Sequence, residues 1–231
     1  MFVTGALIAA AVATPALAAP RTPHVAVPKL LVPACPKTGS VTYDKTVPDL
    51  APFPKTQVDV CYSSNAIEFK FTAYDETSFY FQPNYTTNGN IWEYEVMEAF
   101  ISKGTDDPST YLEIEVAPNN VTFQAFIYNP SKVRAAGAPF DHAFIGDIAA
   151  DGLAATTTTD VAAKTWVSTF DVPLALFNVD AGKAKGTKWR MNFFRTTTSP
   201  ETFPDQGLGA WSPPDAASFH MTPFFGNVIF V

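Results

Sequence analysis

The side chains in this sequence best equipped for chemistry are three glutamates and a few aromatic rings that fall outside regular strand patterns. Glu113 and Glu115 stand two apart in Tyr111-Leu112-Glu113-Ile114-Glu115-Val116, so on a strand they share one face. Glu98 lies in the apolar run before them and can face them from a neighbouring strand. Two carboxyls at a defined gap are what glycoside hydrolysis requires. In an alternating strand the same glutamates are more simply the solvated face, with Leu112, Ile114 and Val116 turned to a core, and that reading is adopted. A serine nucleophile finds no support, since Gly-x-Ser-x-Gly is missing and His24, His142 and His220 are scattered. Metal ligation is equally thin. There is no His-x-x-x-His, Asp106-Asp107 reads as a loop pair, and Asp141 to Asp151 lacks the ligand spacing of a calcium loop.

The aromatic residues carry more. Trp92 follows a polar loop containing Gly89, Trp211 lies between Gly209 and Pro213, and Phe219 sits between Ser218 and His220. A flat ring outside the core matches the C–H face of a pyranose, while the same rings beneath loops serve as plugs. Composition alone leaves both uses open.

The elements that hold these residues read as strands. Of 231 residues, 47% are apolar and 16% charged, with 20 Phe and 20 Pro, which favours a β-rich core over helices or disorder. Ile67, Phe69, Phe71 and Ala73 alternate with polar residues after a Ser63-Ser64-Asn65 turn, and Phe79 and Phe81 continue the strand signal. Trp92 to Ile101 is apolar on both parities and is expected to be a central strand opened by Trp92, with a helix as the alternative. Pro118-Asn119-Asn120 turns the Glu113 strand into Val121, Phe123, Ala125 and Ile127. Short strands are expected around 154–158, at Trp166 to Val172, at Lys188 to Arg195 and at the C-terminus, with one helical turn at Leu174 to Phe177. The sum is an all-β, antiparallel β-sandwich of about nine or ten strands with little helix.

The ends and the cysteines bear on location. Phe2 to Ala13 is apolar, Thr14-Pro15 breaks the run, and Ala16-Leu17-Ala18 offers small residues for cleavage, so residues 1–18 are predicted to be a signal peptide and the protein to be secreted. Residues 19–39 form a proline-rich lead and 40–231 the sandwich; prolines from Pro20 to Pro54 preclude a long helix or central strand there. Cys35 and Cys61, the only two cysteines, are expected to pair in an oxidising compartment. Asn84 and Asn120 begin glycosylation sequons on predicted surface turns. A net charge of −7 without a Lys/Arg cluster argues against nucleic acid, and no segment after the leader is suited to a membrane.

Three stretches together carry a resemblance. Trp92-Glu93 followed by Val96-Met97-Glu98-Ala99-Phe100-Ile101, then Trp189 to Arg195, then Ala210-Trp211-Ser212-Pro213 with Phe219-His220 and Phe225-Gly226-Asn227, resemble family 9 carbohydrate-binding modules over roughly 40–231. The resemblance implies a jelly-roll or DOMON-like sandwich, a monomer that binds polysaccharide or oligosaccharide ends without catalysis, and structural calcium in many members. It places the sugar-stacking rings at Trp92 and Phe219, the latter where the family has a second Trp, with polar contacts from Glu98 and Asn192. Glu113, Arg195 and Trp211 are expected as secondary contacts, Trp211 more as a loop plug than as a contact. The family's Arg and Asn on the following strand fall at Glu113 and Glu115, and its Asn in the last loop at Ala216. Two further functions remain open. One is a haem electron-transfer domain using Met97, Met191 or Met221 with His142 or His220. The other is a polysaccharide hydrolase, because such modules travel with carbohydrate-degrading enzymes.

Overall fold

The computed structural model describes residues 25–147 and 149–231. The expected signal peptide and His24 lie outside the described residues. Thirteen strands and three 3₁₀ turns are present among the described residues, with no α-helix.

Two sheets face each other. The smaller has five strands in the order β2 (Gly39–Lys45), β3 (Pro52–Tyr62), β4 (Ala66–Ala73), β10 (Thr165–Pro173) and β9 (Ala155–Asp160). The larger runs β1 (Lys29–Val32), β13 (Gly226–Phe230), β11 (Lys188–Thr197), β5 (Val96–Lys103), β6 (Thr110–Val116), β7 (Thr122–Tyr128) and β8 (Asp141–Phe144). Its eighth strand, β12 (Gly207–Ala210), pairs with the part of β11 that β13 leaves free. Among the described residues every strand-to-strand pairing is antiparallel except β1 with β13, and an isolated parallel bridge joins Ala34 to Tyr62.

Period-two alternation builds the core between the sheets. Ile67, Phe69 and Phe71 of β4 and Phe170 and Val172 of β10 point inward, where they meet Met97, Ala99 and Ile101, Leu112, Ile114 and Val116, and Met191 and Phe193. Phe69 stacks on Phe170 with ring centroids 5.0 Å apart, and Phe71 meets Phe193 edge-on at 6.1 Å.

The larger sheet is buried on its other face as well. Val96 and Phe100 of β5, Tyr111 of β6, Phe123, Ala125 and Ile127 of β7 and Phe194 of β11 form a second apolar cluster there, closed by Phe219 and Phe225 from the C-terminal loop. This double burial is why β5 reads as apolar on both parities.

Several expectations need adjustment. Trp92 does not open a strand; it lies on a single 3₁₀ turn, Ile91–Glu93, three residues ahead of β5. Phe79 and Phe81 sit in a loop rather than a strand, because Glu76 gathers the backbone there. The proline-rich lead carries no central strand, but Lys29–Val32 pairs with the last strand, so sandwich hydrogen bonding begins before residue 40. Cys35 and Cys61 are joined, with Cα atoms 5.2 Å apart. Asn84 and Asn120 are exposed on turns, and Asn120 takes a positive φ of 67° that asparagine tolerates.

Candidate functional site

A groove of about 440 Å³ lies on the outer face of the larger sheet. Its floor is strand, supplied by Glu98 of β5, Glu113 of β6 and Thr196 of β11. Its walls are Trp92 with Gln206 and Leu208 on one flank, Phe123, Ile127, Arg134, Phe140 and His142 on another, and Ala217 to His220 of the C-terminal loop on the third.

The floor holds the unusual chemistry. Glu98 and Glu115 are direct cross-strand partners, and Glu113 lies two residues along the same face. Their carboxylate oxygens lie within 4.8 Å of one another. Glu98, Glu113 and Glu115 are 3%, 5% and 0% exposed, so Glu113 and Glu115 are not the solvated face expected from their alternation. Alternation identified which residues share a face; the C-terminal loop and the residues before β8 then cover that face.

Electrostatics follow from burial. Desolvation, with the charge of Glu113 beside it, raises the Glu98 carboxyl well above the ordinary range, and Glu115 is raised well above it by the same desolvation and by both neighbours. Glu113 is pushed up to about 7 by burial, eased by Glu115 and Arg134. Neither Glu115 oxygen nor Oε2 of Glu113 has a hydrogen-bond partner among the described residues. Glu98 accepts only a long contact of 3.5 Å from the Thr196 hydroxyl. His220 stacks on Phe100 at 5.2 Å and shares a 2.7 Å hydrogen bond through Nδ1 with the Tyr111 hydroxyl. Burial depresses His220 to about 3, so at neutral pH its Nδ1, 4.0 Å from Glu113, makes no ion pair.

The rings differ in role. Trp92 is 40% exposed, packed edge-on against Phe123 at 5.2 Å, with its carbonyl accepting a 2.7 Å bond from Gln206 Nε2. Phe219 is 9% exposed because it stacks on Phe194 at 4.2 Å, and it meets the groove as wall.

Buried polar groups pin the loops that carry these walls. Glu76 receives the amides of Thr77, Ser78 and Phe79 and pairs with Arg195 at 2.9 Å, while Glu95 receives the Tyr80 amide at 2.9 Å. This fixes the segment leading to Trp92. Arg190 binds Asp107 at 2.8 Å, Asn227, and the carbonyls of Thr222 and Pro223, which fastens the C-terminal loop. Asn129 donates to the His220 carbonyl at 2.9 Å.

Two expected contacts, Asn192 and Arg195, are therefore structural, and Trp211 is the plug that its loop suggested. Asn192 is fully buried and holds Ser212 by donating to its carbonyl at 2.8 Å and accepting from its amide at 3.0 Å, so it does not line the groove. Arg195 has the parity of Phe193 and points away from the groove, to Lys55, Tyr74 and Glu76. Trp211 stacks on Phe193 at 5.4 Å and plugs the edge of the core. Glu98, Glu113, Trp92 and Phe219 do come together. Glu115, Phe123, Arg134, Phe140, Gln206 and His220 join them; the shared parity of Glu113 and Glu115 and the Phe219-His220 motif signalled two of these in advance.

Cofactor readings can be tested on the same geometry. Calcium takes six to eight oxygens, and the three glutamates are flanked across the strands by Phe194, Phe123 and Phe100, so they do not form such a cage. Haem would need Met and His in one cavity, but Met97 and Met191 point into the inter-sheet core, opposite to His142 and His220, and Met221 is not among the residues lining the groove that those histidines share.

No family model matches the sequence. Similar folds are found in a candidate carbohydrate-binding protein from Bacteroides uniformis (TM-score 0.66, 16% identity, covering 89% of this chain and all of that one) and in a family 9 carbohydrate-binding module from Caldicellulosiruptor kristjanssonii. The latter has been solved with cellotriose (TM-score 0.56, 12% identity, 87% and 93% covered) and with glucose (TM-score 0.57, 12% identity, 88% and 95% covered). An extracellular protein of Arthroderma benhamiae is 58% identical over 204 residues, 88% of this chain and 91% of that protein. The chain is thus an extracellular protein belonging to the family of that Arthroderma benhamiae protein, built on the sandwich fold of family 9 carbohydrate-binding modules.

Proposed function

We propose that the protein is a non-catalytic carbohydrate-binding protein whose groove takes the end of a polysaccharide or an oligosaccharide. The observation carrying this reading is a partly exposed tryptophan at the rim of a groove floored by carboxyls and walled by Phe123 and Phe219. Trp92 supplies the face for the apolar side of a pyranose, and Glu98 and Glu113 supply acceptors for its polar groups. The fold it shares with a module solved in complex with glucose and cellotriose supports the reading.

Retention on cellulose, xylan and chitin, with soluble oligosaccharides measured by calorimetry, tests it. Trp92→Ala is expected to weaken binding about tenfold, the scale of one stacking contact with its burial. Equal binding by variant and parent removes Trp92 from the site. No binding to any sugar removes the function.

A further inference from the structure

Resting on that reading, we propose that the groove selects a sugar bearing a protonated amine, an amino sugar of the glucosamine type, over its neutral counterpart. The combination responsible is an aromatic rim above three buried glutamates, none of which forms an ion pair with a lysine or arginine among the described residues.

The deficit of positive charge is specific. The two fully buried arginines are committed elsewhere, Arg190 to Asp107 and Arg195 to Glu76. Arg134 lines the groove and eases Glu113 from a distance, but it is exposed, with its guanidinium over the Phe140 ring at 4.5 Å and no ion pair to the floor. His220 is spoken for by the Tyr111 hydroxyl and packed between Phe100 and Phe140. Three buried carboxylate oxygens of Glu113 and Glu115 therefore lack a donor, a costly condition for a folded interior.

An ammonium group answers this better than a hydroxyl does. It brings three donors and one positive charge, whereas a hydroxyl brings a single neutral donor. Glu98 and Glu113 both line the groove, so a substituent turned toward the floor meets them directly, and the Glu115 oxygens lie within 4.8 Å of theirs. The half-exposed ring of Trp92 accepts the C–H face of the same sugar, and a cation near it is favoured rather than opposed. A divalent ion would find the carboxyls but not the remaining oxygens, because phenylalanines flank them.

Calorimetry on the intact, chelator-treated protein decides this with three probes of equal length: a glucosamine oligomer, its N-acetylated form and a cello-oligomer. At about pH 6.5 an amine of this kind still carries its proton, and its arrival on the floor releases to solvent the proton that burial holds on Glu113. The glucosamine oligomer is expected to bind at least tenfold more tightly than the other two. Glu98→Gln and Glu113→Gln, close in shape to the parent, are expected to erase that preference, and Trp92→Ala to weaken all three. Because acetylation removes the charge from the probe, the parent protein alone carries the central comparison, whatever the variants do to folding. Equal affinity for the cello-oligomer and the glucosamine oligomer overturns the amine preference while leaving sugar binding intact. Failure of all three probes overturns both. Calcium or manganese binding that Glu113→Gln abolishes, and that blocks the glucosamine oligomer, identifies the floor as a metal site and also overturns the proposal.

Discussion

Replacing Glu113 by Gln should make the protein more stable at alkaline pH and leave it nearly unchanged in mild acid. Glu113 has an ordinary value of 4.5 and is pushed up to about 7 in the fold by burial. The folded state thus holds this proton more tightly than the unfolded chain. Its contribution is fully present below 4.5 and is lost as pH rises through about 7. At about 1.4 kcal/mol per tenfold, that gap corresponds to a loss on the order of 3 kcal/mol across the window. Glu98 and Glu115 act with the same sign, and so does Glu95, raised to about 8 by burial and by Glu76. Glu76 acts oppositely. Despite its burial, backbone amides and Arg195 lower it, so its stabilisation disappears only in stronger acid. The parent should be most stable near about pH 4.5–5 and weaken toward pH 8. A glutamine at 113 cannot ionise, and its neutrality also eases Glu98 and Glu115, whose carboxyls Glu113 raises. Urea unfolding should show parent and variant coinciding at about pH 4.5, with the variant ahead by about 1–3 kcal/mol at pH 8. A variant that loses stability equally at both pH values would refute the buried, partnerless state of this carboxyl.

Two other perturbations probe the supports of the groove. Glu76→Ala strips the partner from a fully buried Arg195 and releases three backbone amides, and should cost about 3–5 kcal/mol in urea unfolding; a loss under about 1 kcal/mol would mean the pair is solvated. Gly226→Ala drives a methyl group into the six-membered ring of Trp211, and should lower Tm by about 3–10 °C, as overpacking of about 1–3 kcal/mol does; an unchanged Tm would mean Trp211 is free to move aside.

The sequence made the sandwich legible where one parity was apolar and its turn residues were explicit. β4, β6, β7 and β10 are of this kind, as is the hairpin closed at Asn119 and Asn120. Four strands were hidden for separate reasons. β1 and β2 lie among prolines that favour edge positions, β8 has four exposed residues with no inward set, and Gly-Leu-Gly-Ala of β12 reads as a breaker. Trp92, Glu98 and Phe219 could be brought to one place only through the order of three separated motifs. The burial of Glu113 and Glu115 was beyond alternation, since it depends on irregular segments from other parts of the chain. Asn192 illustrates the converse. Its polarity suggested a ligand contact, but a buried asparagine beside an irregular loop is equally suited to satisfy that loop's backbone, and its bonds to Ser212 do so.

That use of polar residues bears on how binding and folding can be separated. The loops flanking the groove bury a few apolar anchors, Ile91 on one side and Phe219 and Phe225 on the other, and are also pinned by buried charges and amides: Glu76, Glu95 and Arg195 on the Trp92 side, Arg190, Asn129 and Asn192 on the Phe219 side. All but Glu95, which holds the Tyr80 amide alone, satisfy two or more backbone groups at once, so their removal leaves several donors or acceptors without partners in the interior. Trp92 is different. Its ring is partly exposed and its position is set largely through the Trp92 carbonyl bond to Gln206, which truncation of the side chain leaves in place. Loss of sugar retention in Trp92→Ala with an unaltered unfolding curve therefore reports on the groove, whereas the same loss in a variant of Asn192 or Arg195 reports on the loops that shape it.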